Sequence, residues 1–212
     1  MRLAVHPELQ RQGFGRALLD YIVNQSIADY GSCSFGATAD LLKFWKQSGF
    51  LPATVGVKRD ASSGAHSVIL LKGKTEKGQQ LTKYANARFI TRFPHMLADT
   101  LRDLEADVVC QLLQADKRKA LDNSERNEVA AFAEQQRSYE NSLYSLWKLL
   151  CSSSSMENLS VLERDILIMK ILQKQPWQII TERMQQKISG KKQGLQLLRE
   201  AIKKLMPAHH LH

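Results

Sequence analysis

Apolar positions change rhythm once along this chain, near residue 77. Before it, short β-like runs alternate with helical ones, the pattern of an α/β layer. Residues 3–5 form a short apolar run closed by His6-Pro7 and read as a strand end. Ala17, Leu18, Tyr21, Ile22 and Gln25 keep helical spacing, predicting a helix over residues 15–28 that stops at Tyr30-Gly31. A strand at 33–35 follows, then a helix capped by Thr38 and running to Gln47, closed by Gly49. Residues 54–58 and 66–72 read as paired strands around Asp60-Ala61-Ser62-Ser63-Gly64, so the expected order is strand, helix, strand, helix, strand, strand.

After residue 77 the period-2 signal disappears and amphipathic helices take over. Pro94 is expected to start one, and Asp122-Asn123-Ser124-Glu125 another. Leu143, Leu146, Trp147 and Leu150 form an i, i+3, i+4, i+7 stripe. Ser152 to Ser155 read as a linker, and Ser160-Val161-Leu162-Glu163 as a capping box opening a helix to Gln173. Pro176 restarts the chain, and a last helix follows Gly190. Trp45, Trp147 and Trp177 are expected in the core. The expected organisation is an α/β domain over 1–77 and an all-α tail domain over 78–212.

Composition narrows the class. With 43% hydrophobic, 24% charged and 7% aromatic residues the chain can bury a core. No apolar run approaches the roughly 18 residues that span a bilayer, and no secretory signal is visible, so a cytoplasmic protein without a membrane partner is expected. Cys33, Cys110 and Cys151 are too scattered for a disulfide framework or a zinc site. His209, His210 and His212 read as a terminal tail, and no metal site is expected.

The net charge of +9 favours a polyanionic partner. Its focus lies at the C-terminal end, where Arg183, Lys187, Lys191, Lys192, Arg199, Lys203 and Lys204 face the single acid Glu200. Leu195, Leu198, Ala201, Ile202 and Leu205 take the apolar side of that last helix, which puts lysines outward whatever their role.

The chemistry-bearing segment is Gln10-Arg11-Gln12-Gly13-Phe14-Gly15-Arg16, set between the strand end and the first helix. Backbone N–H groups and a helix N-terminus converge on phosphate oxygens in such a turn, glycine lets the ligand approach, and Arg11 and Arg16 add charge. A ligand-free tight turn has the same glycine spacing. A dinucleotide fingerprint does not fit, because the third glycine is missing and Asp29 sits at a helix end, and no P-loop sequence occurs anywhere in the chain.

With its flanks from Arg2 to Leu19, this segment resembles motif A of the GNAT superfamily of acetyl-coenzyme-A-dependent N-acetyltransferases. Phe44-Trp45-Lys46-Gln47-Ser48-Gly49-Phe50 is similar to the superfamily's next helix. Ser34-Phe35-Gly36 and Arg59-Asp60-Ala61-Ser62-Ser63-Gly64 narrow the resemblance to the bacterial tRNA(Met) cytidine acetyltransferase family, in which a helical tail follows the acetyltransferase domain.

The resemblance implies a partial GNAT α/β fold followed by the all-α tail. It also implies acetylation of the N4 amine of the wobble cytidine in elongator tRNA(Met), using acetyl-CoA and coupled to ATP hydrolysis. Carried over residue by residue, the cofactor contacts are Leu3, Ala4 and Val5 on the strand and Gln10, Arg11, Gln12, Gly13, Phe14, Gly15 and Arg16 in the loop. Asp40 and Gln47 stand where a Glu and an Arg are expected. Transfer would be direct, without an acyl-enzyme, so Cys33 is not nominated as a nucleophile; His6 is the candidate base.

The tRNA contacts are expected at Lys187, Lys191, Lys192, Arg199, Lys203 and Lys204. The first half of the acetyltransferase fold and the nucleotide-binding module are expected to be missing, so catalysis by the chain alone is not assumed. An open strand edge at the cofactor strand would favour a homodimer or pairing with the missing half. The alternatives are a stand-alone acetyltransferase for a protein or small-molecule amine, and a catalytically inactive RNA-binding module. A helix-turn-helix DNA reader over residues 159–206 is less favoured.

Overall fold

The computed structural model describes residues 4–153, 156–184 and 187–206. The chain divides into two compact units, Met1–Phe89 and Ile90–His212, with the division falling inside one helix.

In the first unit a 3-10 turn, Pro7–Leu9, leads to helix α1 (Phe14–Gln25), strand β1 (Tyr30–Gly36), helix α2 (Ala39–Gln47), and strands β2 (Leu51–Arg59) and β3 (His66–Gly73). The strands form one antiparallel sheet in the order β1-β3-β2, with Cys33 opposite Leu70 and Val55 opposite Val68. β3 is central and alternates cleanly: His66, Val68 and Leu70 are buried, Ser67 and Ile69 exposed. Leu42 from α2, Phe50 and Val55 complete that core.

Thr38 caps α2 by accepting a hydrogen bond from the Leu41 N–H at 3.4 Å. Helix α3 (Glu76–Leu97) starts against Asp29, whose carboxylate accepts from the Thr75 hydroxyl at 2.6 Å. A Cβ on Gly78 would lie 1.8 Å from the Asp29 carbonyl oxygen, so only glycine lets the first turn of α3 come this close. Further along, the Asn86 side chain donates to the Pro52 carbonyl at 2.9 Å.

The second unit is helical: α4 (Ala106–Leu112), α5 (Asn123–Ala133), α6 (Tyr139–Ser152), α7 (Val161–Leu167), α8 (Trp177–Arg183) and α9 (Lys191–Leu205). α7 continues as a π-helical turn, Ile168–Leu172. Complete capping boxes stand at Asp122/Glu125 and Ser160/Glu163, as the sequence predicts. Fully buried Phe93, Leu97, Leu101, Leu112, Phe132, Leu146, Leu150, Ile166 and Leu167 form the core. Two buried glutamines satisfy turn carbonyls within it: Gln173 donates to Leu104 and Gln175 to Arg102, each at 2.6 Å.

Four expectations are corrected. Ala4 and Val5 form no strand, since no strand among the described residues pairs with them; Leu3 lies outside the described residues. α1 ends at Gln25 rather than residue 28, since the Ser26 hydroxyl takes the Ala28 N–H at 3.1 Å and offers the backbone a turn instead. Pro94 lies inside α3 rather than starting a helix: Phe89, Phe93 and Leu97 are buried on either side of it, and that packing outweighs the lost backbone hydrogen bond. Trp45, Trp147 and Trp177 are half-buried rather than core; Lys119 lies over the ring of Trp147 and Lys170 over that of Trp177. Among the described residues, the open sheet edges belong to β1 and β2, not to residues 4–5.

Candidate cofactor loop and nucleic-acid interface

Residues 10–16 form an exposed loop ending on the N-terminus of α1. Two side-chain amides hold it: Gln10 donates to the Val5 carbonyl at 3.1 Å and Gln12 to the Glu8 carbonyl at 2.9 Å. Arg11 and Gly13 both have left-handed backbones, with φ of 61° and 91°. Gly13 is needed for that conformation; Arg11 adopts it against its preference, as residues at binding loops often do. Gly15 differs. A Cβ there would meet Phe44 and Val5 at an ordinary 3.6 Å, so the chain's own packing does not require glycine.

The N–H groups of Arg16 and Ala17 turn back onto the Gly13 carbonyl at 3.1 and 3.0 Å. Those of Phe14 and Gly15 open the helix, where no intrahelical carbonyl precedes them. Arg16 pairs with Asp20 at 3.9 Å, one turn on, and Arg11 with Asp40 at 3.9 Å, both of the latter side chains being 91% exposed. The structure thus brings Arg11 and Asp40 together. Gln47, the last residue of α2, is exposed.

Beside the loop lies a groove of about 800 Å³, lined by α1, β1 and α2 and walled by apolar side chains such as Leu19, Ile22, Phe35, Trp45 and Phe50. Of the predicted cofactor residues that are described, only Ala4 lines it. Trp45 organises its aromatic wall, stacking on Phe35 at 6.0 Å and meeting Phe44 and Phe50 edge-on at 5.5 and 4.8 Å. Lys74 reaches the groove's rim and donates to the carbonyls of Asn24, at 2.9 Å, and Ser26.

Cys33 also lines the groove, but burial pushes its thiol up to about 12. A thiol so held is protonated at neutral pH and is no nucleophile. His6 is exposed, its Nδ1 4.0 Å from Glu8, and does not line the groove.

The predicted RNA-contacting cations divide into two sets. Arg199, Lys203 and Lys204 serve the helical unit itself. Arg199 lies over the Phe132 ring at 5.2 Å and donates to the Phe132 carbonyl at 3.2 Å; Lys203 pairs with Glu134 at 2.8 Å and Lys204 with Glu163 at 2.6 Å. Lys187, Lys191 and Lys192 are exposed, and the last two are the first residues of α9. Cations there oppose the helix dipole, an arrangement local stability does not favour. His209, His210 and His212 lie outside the described residues.

Residues 78–211 match the family described as tRNA-binding domain. The chain belongs to this family. Residues 23–74 match a second family, described as GNAT acetyltransferase 2. The chain is 40% identical over 216 residues to the tRNA(Met) cytidine acetyltransferase of Nitrosococcus halophilus (strain Nc4), covering 97% of this chain and 29% of the relative. It is 34% identical over 207 residues to that of Vibrio cholerae, covering 97% and 28%, and 29% identical over 188 residues to that of Methanopyrus kandleri, covering 84% and 22%. The chain therefore spans less than a third of the length of these relatives.

The tRNA-binding match takes in nearly all of α3, from which the sequence reading drew no candidate. The signal was there, in Lys77, Leu81, Tyr84 and Arg88 at a helical spacing. Among the described residues no helix is long and apolar enough to cross a membrane.

Proposed function

We propose that this chain supplies the acetyl-CoA pyrophosphate loop and the tRNA-binding helices of a cytoplasmic tRNA(Met) cytidine acetyltransferase. On this reading residues 1–77 belong to the acetyltransferase domain and 78–212 to the tail. The observation that carries it is Gly15, whose lack of a side chain the chain's own packing does not explain and a ligand lying on the N-terminus of α1 does.

The residues present fit such a ligand. The N–H groups of Phe14 and Gly15 would face phosphate oxygens, and Arg11 and Arg16 would neutralise them from either side. Bound acetyl-CoA supplies the activated acetyl thioester. Gln10 and Gln12 do not spend their amides on the ligand; they brace the loop against Val5 and Glu8 so that it needs little reordering on binding. Cys33 stays protonated and out of the chemistry, consistent with direct attack by the cytidine N4 amine. The ATP coupling of the family, the choice of elongator tRNA(Met), and a pairing of this chain with a second copy or a further polypeptide at an open sheet edge are part of the same proposal.

That His6, the candidate base, faces solvent and does not line the groove favours a second reading, in which the chain binds tRNA without catalysing transfer. Calorimetric titration with coenzyme A separates the two. Saturable binding weakened at least tenfold by Gly15→Glu, which puts a bulky anion in the loop, supports the first. No binding by the wild-type chain overturns it and leaves the second.

A further inference from the structure

We infer that the exposed face of α3 between Lys77 and Arg88 is a contact surface for an unpaired stretch of RNA, with Tyr84 and Arg88 as its stacking platform. The inference rests on the tRNA-binding reading above and goes further by assigning a contact to α3 in addition to the C-terminal cations.

The inner face of α3 fixes what the outer face shows. Gly78, Thr82, Asn86 and Phe89 are buried and recur every three or four residues. A flanking stripe, Lys77, Leu81, Tyr84 and Arg88, is exposed along its whole length. Along the whole of Glu76–Leu97 the only acid is Glu76, at the first position, where a carboxylate suits the helix dipole. The stripe is therefore positive and rises about 16 Å along the helix from Lys77 to Arg88.

Tyr84 is 61% exposed, Leu81 44%. The Arg88 guanidinium lies over the Tyr84 ring with its carbon 5.5 Å from the ring centroid, and its Nη1 donates to the phenol oxygen at 3.4 Å. This i, i+4 pair presents two planar groups side by side, one cationic, with the ring open to solvent. A solvated helix face needs cations but gains nothing from an exposed aromatic ring. Unpaired RNA uses both: bases stack on aromatic and guanidinium planes while phosphates sit against Lys and Arg. An acidic peptide would use the charge and leave the ring idle, which is why RNA is the occupant favoured here.

The test measures binding of fluorescently labelled tRNA(Met) to the full 212-residue chain across a salt series, with helix content checked by circular dichroism. Tyr84→Ala is expected to weaken binding about tenfold with the salt slope unchanged, since stacking carries no counterion release. Tyr84→Phe should bind within about twofold of wild type. Arg88→Ala should weaken binding and lower the salt slope by about one, whereas Arg88→Lys should keep the slope and lose only the stacking share.

Wild-type binding that none of these changes affects, but that Lys191→Ala/Lys192→Ala abolishes, would overturn the α3 surface and leave the tRNA reading intact. A wild-type chain that binds no tRNA overturns both. Displacement of the RNA by polyglutamate, with polyglutamate binding equally dependent on Tyr84, would show that the face takes acidic peptides instead.

Discussion

Helices α1 and α6 are of similar length and differ sharply in how they are held. α1, with 12 residues, buries only Leu19, and leaves Phe14, Leu18 and Tyr21 48%, 45% and 65% exposed. α6, with 14 residues, buries Tyr139, Ser142, Ser145, Leu146, Leu149, Leu150 and Cys151. A helix of α1's length is marginal in water on its own. The helix that follows the candidate loop is thus the less deeply buried of the two. Binding loops drawn from the less stable end of a structure can reorganise around a ligand, while a surface for a large rigid partner benefits from a fixed scaffold.

The largest effects should follow this contrast. Ile166→Ala, at a fully buried position next to the π-helical turn, should cost about 2–5 kcal/mol in urea unfolding. Leu18→Ala on α1 should shift the midpoint by far less, because that side chain already meets solvent. Comparable losses would show that α1 is packed as firmly as the tail.

How legible each region was follows the same division. The capping boxes at Asp122 and Ser160 and the cap at Thr38 are local chemistry, written in four consecutive residues, and the sequence displays them directly. The course of α3 through Pro94 depends on Phe89, Phe93 and Leu97 finding a core, which no local pattern announces. Two of the half-buried tryptophans meet cations from elsewhere in the chain, which no local pattern announces: Lys119 lies 4.7 Å from the centroid of the Trp147 ring and Lys170 5.0 Å from that of Trp177. At the cofactor loop the glycine spacing was visible, but the division of labour between a conformationally required Gly13 and a sterically unforced Gly15 is a matter of φ and of neighbours.

A smaller effect tests how the tail uses its charges. Burial pushes the Glu163 carboxyl up, but hydrogen bonds from Lys204 and from the Ser160 backbone and hydroxyl outweigh it and hold the group below its ordinary 4.5. A carboxylate depressed in the folded state adds stability that is fully present above its unfolded value and is lost as pH falls through the folded one. Glu163→Gln should therefore destabilise by about 1–2 kcal/mol at pH 7. The gap from wild type should narrow below pH 4.5, measured by urea midpoints across pH. A gap independent of pH would mean that the capping hydrogen bonds to Ser160, and not the charge shared with Lys204, carry the effect.

The smallest effect on stability is expected where the cofactor loop meets α2. Arg11 and Asp40 approach to 3.9 Å with both side chains almost wholly in solvent, so water and salt screen the pair. Asp40→Asn should leave the unfolding midpoint of the first unit unchanged. Its effect on anion binding should be visible all the same, because the carboxylate competes with phosphate for the Arg11 guanidinium. Coenzyme A should bind about two- to fivefold more tightly to Asp40→Asn at low salt, converging with wild type as screening increases. Weaker binding by the variant would make Asp40 a direct ligand contact, in keeping with its place in the sequence resemblance, and would give α2 as well as α1 a share in holding the cofactor.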